Sequence, residues 1–313
     1  MNIPDGWDAR ASALLPSLAQ GQLRRLGRES RLRPARALES WIRKNPLSDA
    51  VEREIVGEME LCWDGVPLPR ALPEIIDSAR RLLVEQLIGA QAAACEGPVA
   101  TGRHVQVTSL VSIEEALATG RSVMLLTPSF GAWQAVAPAL ARRGYPVGLL
   151  DLRPDSRRPA HGFPAAPGLD LRQLPSSGYA RSLVRYASEG GRILVAVGDE
   201  GCGSRWAEGA LLGRSARVGS TPFELARRCK IPIIPVFAVR EKGRTRLIVE
   251  AEIRISDTGR GDVDLDTTAA RWLKLVDRYA RRYPDHYLPF LLARRHSRAT
   301  DALPLFADSN KEH

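Results

Sequence analysis

The chain has 313 residues, of which 44% are hydrophobic and 26% are charged, and its formal net charge is +9. This composition supplies enough apolar material for a sizeable core and argues against wholesale disorder. No apolar run reaches the length of a membrane-spanning helix, and the N-terminal residues MNIPDGWDAR do not resemble a secretory signal. We therefore expect a cytoplasmic protein that can still contact the inner face of the cytoplasmic membrane.

The cysteines and histidines are scattered, and none of them pair at the spacing of a zinc site. We expect no metal and no redox cofactor, and Cys202 is expected to be a packing residue.

Residues 21–44 carry eight basic and two acidic side chains. Two interpretations stay open, which are the solvated face of a helix and a contact with anionic membrane lipid. We expect no nucleic-acid partner, because no aromatic residues alternate with these arginines as they do in many single-strand binders.

Residues 1–98 are predicted to form a helical N-terminal region that packs on the main domain. Its clearest helix covers residues 72–88, where apolar residues recur at the spacing of one helical face. Gly97 and Pro98 end this region.

From residue 105 onward, strands and helices are predicted to alternate. This order is typical of an α/β domain with a mixed, largely parallel sheet flanked by helices. We assign residues 99–300 to this domain and residues 301–313 to a tail. A Pro- and Arg-rich loop is predicted for residues 153–177. The predicted strands are 122–127, 147–152, 192–198, 233–239 and 246–253, and the predicted helices are 131–143, 179–189, 220–228 and 266–282.

Two predicted strand ends carry polar residues. Residues 127–134 (TPSFGAWQ) follow the first buried strand, and residues 198–205 (GDEGCGSR) follow another. Ligands of such sheets bind beyond the carboxyl ends of the strands. We therefore expect a groove lined by residues 127–134 and 199–217.

Four blocks in sequence carry a resemblance to a known family. They are GRSVMLLTPSFGAWQAV (120–136), GDEGCGSRWAEGALLGRSARVGSTPFELARR (198–228), KIPIIPVFAVR (230–240) and YPDHYLPFLLARR (283–295). In this order they resemble the lysophospholipid acyltransferase superfamily, and most of all its bacterial lipid A biosynthesis branch. The resemblance covers about 190 residues, 105–295, and implies the glycerolipid acyltransferase-like fold.

The resemblance also implies a reaction. Members transfer an acyl group from a thioester, on acyl carrier protein or coenzyme A, to a hydroxyl of a lipid or sugar. A histidine acts as the general base, and an acidic residue in the same motif orients it. These thioesters are donor substrates and not resident cofactors.

This chain departs from the family pattern at both positions, because Ser129 replaces the histidine and Gln134 replaces the acidic residue. General-base catalysis contributes roughly 10²–10⁴-fold, so the family mechanism does not transfer unchanged. Four interpretations of Ser129 remain. Ser129 lies in a non-catalytic acyl-binding site, or it lies in the active site of a transferase that relies on proximity. Alternatively, Ser129 is itself a covalent nucleophile with His104 or His161 as its base. In the last interpretation, it only packs or caps the following helix.

Further binding residues are predicted around these positions. Glu200-Gly201 and Gly213-Arg214 match the acidic-Gly and Gly-Arg pairs of the family, while Arg214 and Arg217 could hold a phosphate or carboxylate. For Trp133, core packing is favoured over contact with a substrate. The predicted substrate-binding residues are Thr127, Phe130, Gly131, Trp133, Asp199, Glu200, Gly201, Gly213, Arg214 and Arg217.

The sequence therefore predicts an acyltransferase-like protein of lipid or acyl-metabolite biosynthesis. It would act on a hydroxyl or amine acceptor by a non-standard mechanism. The alternative is an inactive acyl-binding protein of the same fold.

Overall fold

A computed structural model describes residues 40, 42–96, 105–150, 169–172, 179–199, 205–241, 244–296 and 306. Within these, the side chains of 86–96, 169–172, 179–180 and 293–296 are left out of the description. The helices are α1 (Asp49–Trp63), α2 (Leu72–Glu96), α3 (Val111–Ala118), α4 (Val136–Ala141), α5 (Tyr179–Ser188), α6 (Thr221–Cys229), α7 (Asp262–Arg282) and α8 (Pro284–His296). The strands are β1 (Val105–Val107), β2 (Val123–Thr127), β3 (Val147–Leu150), β4 (Leu169–Arg172), β5 (Ile193–Val197), β6 (Trp206–Leu211), β7 (Arg214–Gly219), β8 (Ile233–Glu241) and β9 (Arg244–Val249).

Seven of these strands form one sheet in the order β1-β9-β8-β2-β5-β3-β4. Strands β8, β2, β5, β3 and β4 are mutually parallel, whereas β9 runs antiparallel to β8, and β1 follows the direction of β9. The predicted fold class, a mixed and largely parallel sheet flanked by helices, is confirmed. Strands β6 and β7 form a separate antiparallel hairpin.

The core lies on both faces of this sheet, as expected for continuously apolar strands that are covered on two sides. Alternate residues of β2 face opposite ways. Met124 and Leu126 join the side chains of α1, α2, α7 and α8, whereas Val123 and Leu125 join those of α3 and α4. All four are fully buried.

The structure also contains β1, α3 and α8, which the sequence analysis did not predict. Most predicted elements are present, and three further regions differ. The predicted helix 131–143 is a short 3₁₀ turn, Trp133–Ala135, followed by α4, because the chain bends at Gly131 to meet β8. The predicted loop 153–177 contains β4, which pairs with β3.

The third difference is the β6–β7 hairpin, which the sequence did not signal. Leu212 and Gly213 connect its strands, both with positive φ, as in a type I′ turn. Leucine is rare at such a position, so the usual Asn-Gly or Asp-Gly signal is missing.

The N-terminal region contributes to the same core as the sheet. Ile55 and Met59 of α1 and Ile75 and Leu83 of α2 are buried in the cluster that contains Leu126. The boundaries drawn at residues 98 and 300 remain predictions. Most of the basic segment 21–44 lies outside the described residues, so its membrane contact also remains a prediction. In the part of the chain that the structure describes, no helix is long and apolar enough to cross a membrane.

Candidate functional site

The turns that follow β2 and β5 meet at one edge of the sheet. These strands are neighbours with Thr127 opposite Val197, so the residues beyond them come together. The backbone N–H of Ser129 donates to both carboxylate oxygens of Asp199, at 2.9 Å each. Asp199 is completely buried and Ser129 is 3% exposed. Asp199 therefore holds the backbone of the β2 turn in place.

The same turn contains polar atoms without partners. The Oγ of Ser129 and both amide atoms of Gln134 are buried, and none of them has a hydrogen-bond partner among the described residues. Leaving such a group unsatisfied costs about 1–3 kcal/mol, and most buried polar atoms in proteins avoid it. An ordered water or a bound ligand would satisfy these three atoms, which makes the turn a candidate binding site.

Gly131 fixes the position of this turn. Its φ is +54°, which favours glycine, and its N–H donates to the carbonyl oxygen of His286 at 3.0 Å. The next N–H, of Ala132, donates to the carbonyl oxygen of Ala238 at 3.2 Å. A Cβ on Gly131 would lie 2.1 Å from that oxygen. The turn is thus held closely against β8 and α8.

A buried imidazole packs behind the turn. The ring of His286 stacks on Phe130 with centroids 5.2 Å apart, and His286 is 4% exposed. Its Nε2 accepts the backbone N–H of Arg240 at 2.8 Å, so in this arrangement the proton belongs on Nδ1. Nδ1 lies 3.2 Å from Oδ1 of Asp285. Nε2 is therefore engaged by the backbone of β8, whereas Nδ1 lies within ion-pair distance of Asp285 but forms no hydrogen bond of normal geometry among the described residues.

Asp285 connects this region to the N-terminal helices. Ser78 of α2 donates to its Oδ2 at 2.5 Å, and Nη2 of Arg70 lies 2.8 Å from its Oδ1. Burial alone would raise the pKa of this carboxyl, but His286, Ser78 and Arg70 together lower the pKa to about 2. The sequence analysis missed this network, and the adjacent Asp285-His286 pair was its only local signal.

Besides Gly131 and Asp199, three further predicted binding residues are inside the protein. Thr127 is fully buried and its hydroxyl donates to the carbonyl oxygen of Pro128 at 3.2 Å. Phe130 is fully buried among Phe237 and the rings of α7 and α8. Trp133 is 2% exposed and packs on the opposite face of the sheet. In this structure these side chains supply packing, and their contact with a substrate remains a prediction.

Three predicted residues of the second block, Gly213, Arg214 and Arg217, lie along the β6–β7 hairpin. Gly213 and Arg214 are at the turn of the hairpin. The six residues of β6 separate this turn from the start of the hairpin, which is the end nearer to Asp199 in the sequence. Arg217 pairs across the hairpin with Glu208 at 2.9 Å, and both are partly exposed. Glu200 and Gly201 lie outside the described residues.

Arg214 faces the N-terminal region. Its Nη1 lies 3.8 Å from Sγ of Cys62, and its guanidinium covers the Phe306 ring at 4.0 Å. Burial, together with the neighbouring Glu58 carboxylate, raises the pKa of the Cys62 thiol to about 12, so this cysteine is not a thiolate nucleophile near neutral pH.

The family of the chain follows from comparison with known proteins. The family model described as bacterial lipid A biosynthesis acyltransferase matches residues 75–296, more than two thirds of the chain. The chain belongs to this family. No match was found among curated proteins. The match confirms the resemblance inferred from the four blocks and extends it towards the N-terminus into α2, which contributes Ser78 to the Asp285 network.

Proposed function

We propose that this protein transfers an acyl group from an acyl thioester, on acyl carrier protein or coenzyme A, to an amine or hydroxyl acceptor without a side-chain general base. The observation that carries the proposal is the β2 turn. Asp199 fixes the backbone of Ser129, while the Ser129 hydroxyl and the Gln134 amide are buried with no partner among the described residues. Membership of an acyltransferase family supports the reaction class.

Ser129 and Gln134 are neutral hydrogen-bonding groups. They can hold an acceptor beside the thioester, and such positioning can supply several kcal/mol of the barrier. Neither can remove a proton near neutral pH. In the proposed step the acceptor lone pair forms a bond to the thioester carbon, the carbon–sulfur bond breaks, and the leaving thiol takes up the acceptor proton.

This chemistry favours an acceptor that is already nucleophilic. An amine that is unprotonated near neutral pH has a free lone pair, whereas an alcohol needs help to lose its proton. We therefore propose an amine of low pKa as the preferred acceptor. A transfer without an enzyme base should also take its pH dependence from the acceptor.

The test measures thiol release from acyl-CoA and acyl carrier protein thioesters with amines of different pKa. We expect acceptor-dependent release, with a pH midpoint that moves with the pKa of the amine. A midpoint that stays fixed when the amine is changed would reveal an enzyme base and contradict the proposal.

A pair of serine variants gives the matched control. Ser129→Ala should lower kcat/KM by about tenfold, the value of one good hydrogen bond. Ser122→Ala removes another buried hydroxyl that has no partner among the described residues, at the opposite end of β2, and should leave kcat/KM unchanged. Equal effects of the two changes would show that Ser129 has no special part.

The lack of a base at Ser129 also favours a second candidate, a non-catalytic acyl-binding protein. It predicts binding of the acyl thioester by calorimetry with no thiol release for any acceptor. Release with any acceptor above the uncatalysed rate would rule this candidate out.

A further inference from the structure

A pocket lies at the edge of the sheet opposite the Ser129 turn, where β2 and β8 begin. It has a volume of about 510 Å³, within the range of small-molecule sites. Its walls are the residues leading into β2, the end of α6 with its link to β8, and residues 252–257 that follow β9. We call it the lower pocket. It shares no residue with the Ser129 turn.

The lower pocket is lined by more positive than negative side chains. Arg121, Arg227, Lys230 and Arg254 face it together with two carboxylates, Glu252 and Asp257, which leaves a surplus of two positive charges. Arg121, Lys230 and Arg254 are exposed and form no ion pair with a described carboxylate.

The fourth cation, Arg227, forms only a long ion pair. Nη1 of Arg227 is 3.9 Å from Oδ2 of Asp264, at the outer limit of an ion pair. That carboxylate already accepts hydrogen bonds from the N–H and hydroxyl of Thr258 and from the N–H of Arg260. Arg227 can therefore turn to another anion at little cost to Asp264.

Apolar residues complete the lining. Ile231 is 3% exposed, and Pro232 and Ile255 lie beside it in the pocket wall. Contact with such a surface favours a ligand that has an apolar portion as well as its charge.

We propose that the lower pocket binds the phosphoryl group of a small molecule. Guanidinium groups match phosphate oxygens with paired hydrogen bonds, and a lysine adds a compact positive charge. The two carboxylates would repel an extended polyanion, so the charges fit one phosphoryl group better than a nucleic acid. This site is independent of the proposed acyl transfer.

The experiment measures ³¹P relaxation of two probes, inorganic phosphate and hexyl phosphate, with the full-length protein. We expect saturable line broadening for both. Tighter binding of hexyl phosphate identifies a phosphorylated organic molecule that uses the apolar wall, and equal binding identifies free phosphate.

Arginine variants locate the binding. Arg254→Gln should weaken binding by about tenfold, because it removes one charge-assisted contact. Arg244→Gln removes the same charge from an exposed residue at the other edge of the sheet and should change nothing. Broadening that does not saturate, or equal loss in both variants, would overturn the proposal.

Discussion

Gly131 combines a positive φ with the closest approach of the turn to its neighbours. A side chain here meets two penalties, the left-handed backbone conformation and a Cβ placed 2.1 Å from the Ala238 oxygen and 2.8 Å from Cδ2 of His286. The backbone penalty alone is about 1–2 kcal/mol, and overpacking adds about 1–3 kcal/mol. The steric cost can be distinguished from the backbone cost by comparison with another glycine of positive φ whose Cβ position is surrounded by open space.

We expect Gly131→Ala to lower the free energy of unfolding by about 3 kcal/mol or more. Gly144 provides the control, because its φ is +86° and nothing lies within 4 Å of its Cβ position. Gly144→Ala should cost only about 1 kcal/mol. Urea unfolding measures both. Equal costs would mean that the turn moves away from β8 without penalty and that its position is not fixed.

The meeting of Ser129 and Asp199 was partly predictable. Both were placed at strand ends from the sequence, and parallel strands bring such ends to one edge. The direct contact also requires β2 and β5 to be adjacent, and strand order is set by packing of residues about 70 positions apart. The engagement of His286 by Arg240 was not predictable, because it depends on how α8 crosses β8.

Asp285 lies where three elements meet. Its carboxylate is approached by Ser78 of α2, by Arg70 from the segment between α1 and α2, and by His286 of α8. The side chain is 4% exposed, so these contacts are poorly screened by solvent. The contact with the Arg70 guanidinium is strongest when the carboxylate is ionised.

This contact network predicts a pH-dependent stability. The pKa of Asp285 is lowered from 3.8 to about 2, so its stabilisation is complete above the ordinary pKa and is lost as the pH falls from about 4 towards 2. At pH 6 we expect Asp285→Asn to cost about 2 kcal/mol of unfolding free energy. Unfolding in urea at pH 6, 5, 4 and 3 gives the difference from the natural chain, which should shrink in the most acidic samples.

An exposed aspartate serves as the comparison. Asp64 follows α1 at the surface, and Asp64→Asn should stay within about 0.5 kcal/mol of the natural chain at every pH. A cost of Asp285→Asn that is unchanged between pH 6 and pH 3 would show that the ionised carboxylate is not what joins the three elements.

Elements with strong local patterns were the predictable ones. The apolar face of α2 and the buried runs of β2, β5 and β8 have periodicities that identify them. Strand β4 was missed because Leu169–Arg172 is short and sits in a Pro- and Arg-rich stretch. Its strand conformation comes from pairing with β3, which no local pattern records.

One face of the sheet shares its core with the N-terminal helices. The cluster that contains Leu126, Phe237 and Trp272 also contains Ile55 of α1 and Leu83 of α2. Helices that share a core with the sheet lose that core when the sheet unfolds. We therefore expect the N-terminal helices and the sheet to unfold together.

Leu83→Ala tests this expectation, because Leu83 is fully buried in the shared cluster. Its truncation should cost about 2–5 kcal/mol and move the whole unfolding transition, seen equally by tryptophan fluorescence and by far-ultraviolet circular dichroism. Leu61 is 52% exposed on α1, so Leu61→Ala should shift the transition by no more than about 0.5 kcal/mol. Two separate transitions, with Leu83→Ala moving only one, would show that the N-terminal helices form an independent unit. A single transition that moves as a whole is expected instead, because the side chains of α1 and α2 replace solvent over the same sheet face that α7 and α8 cover.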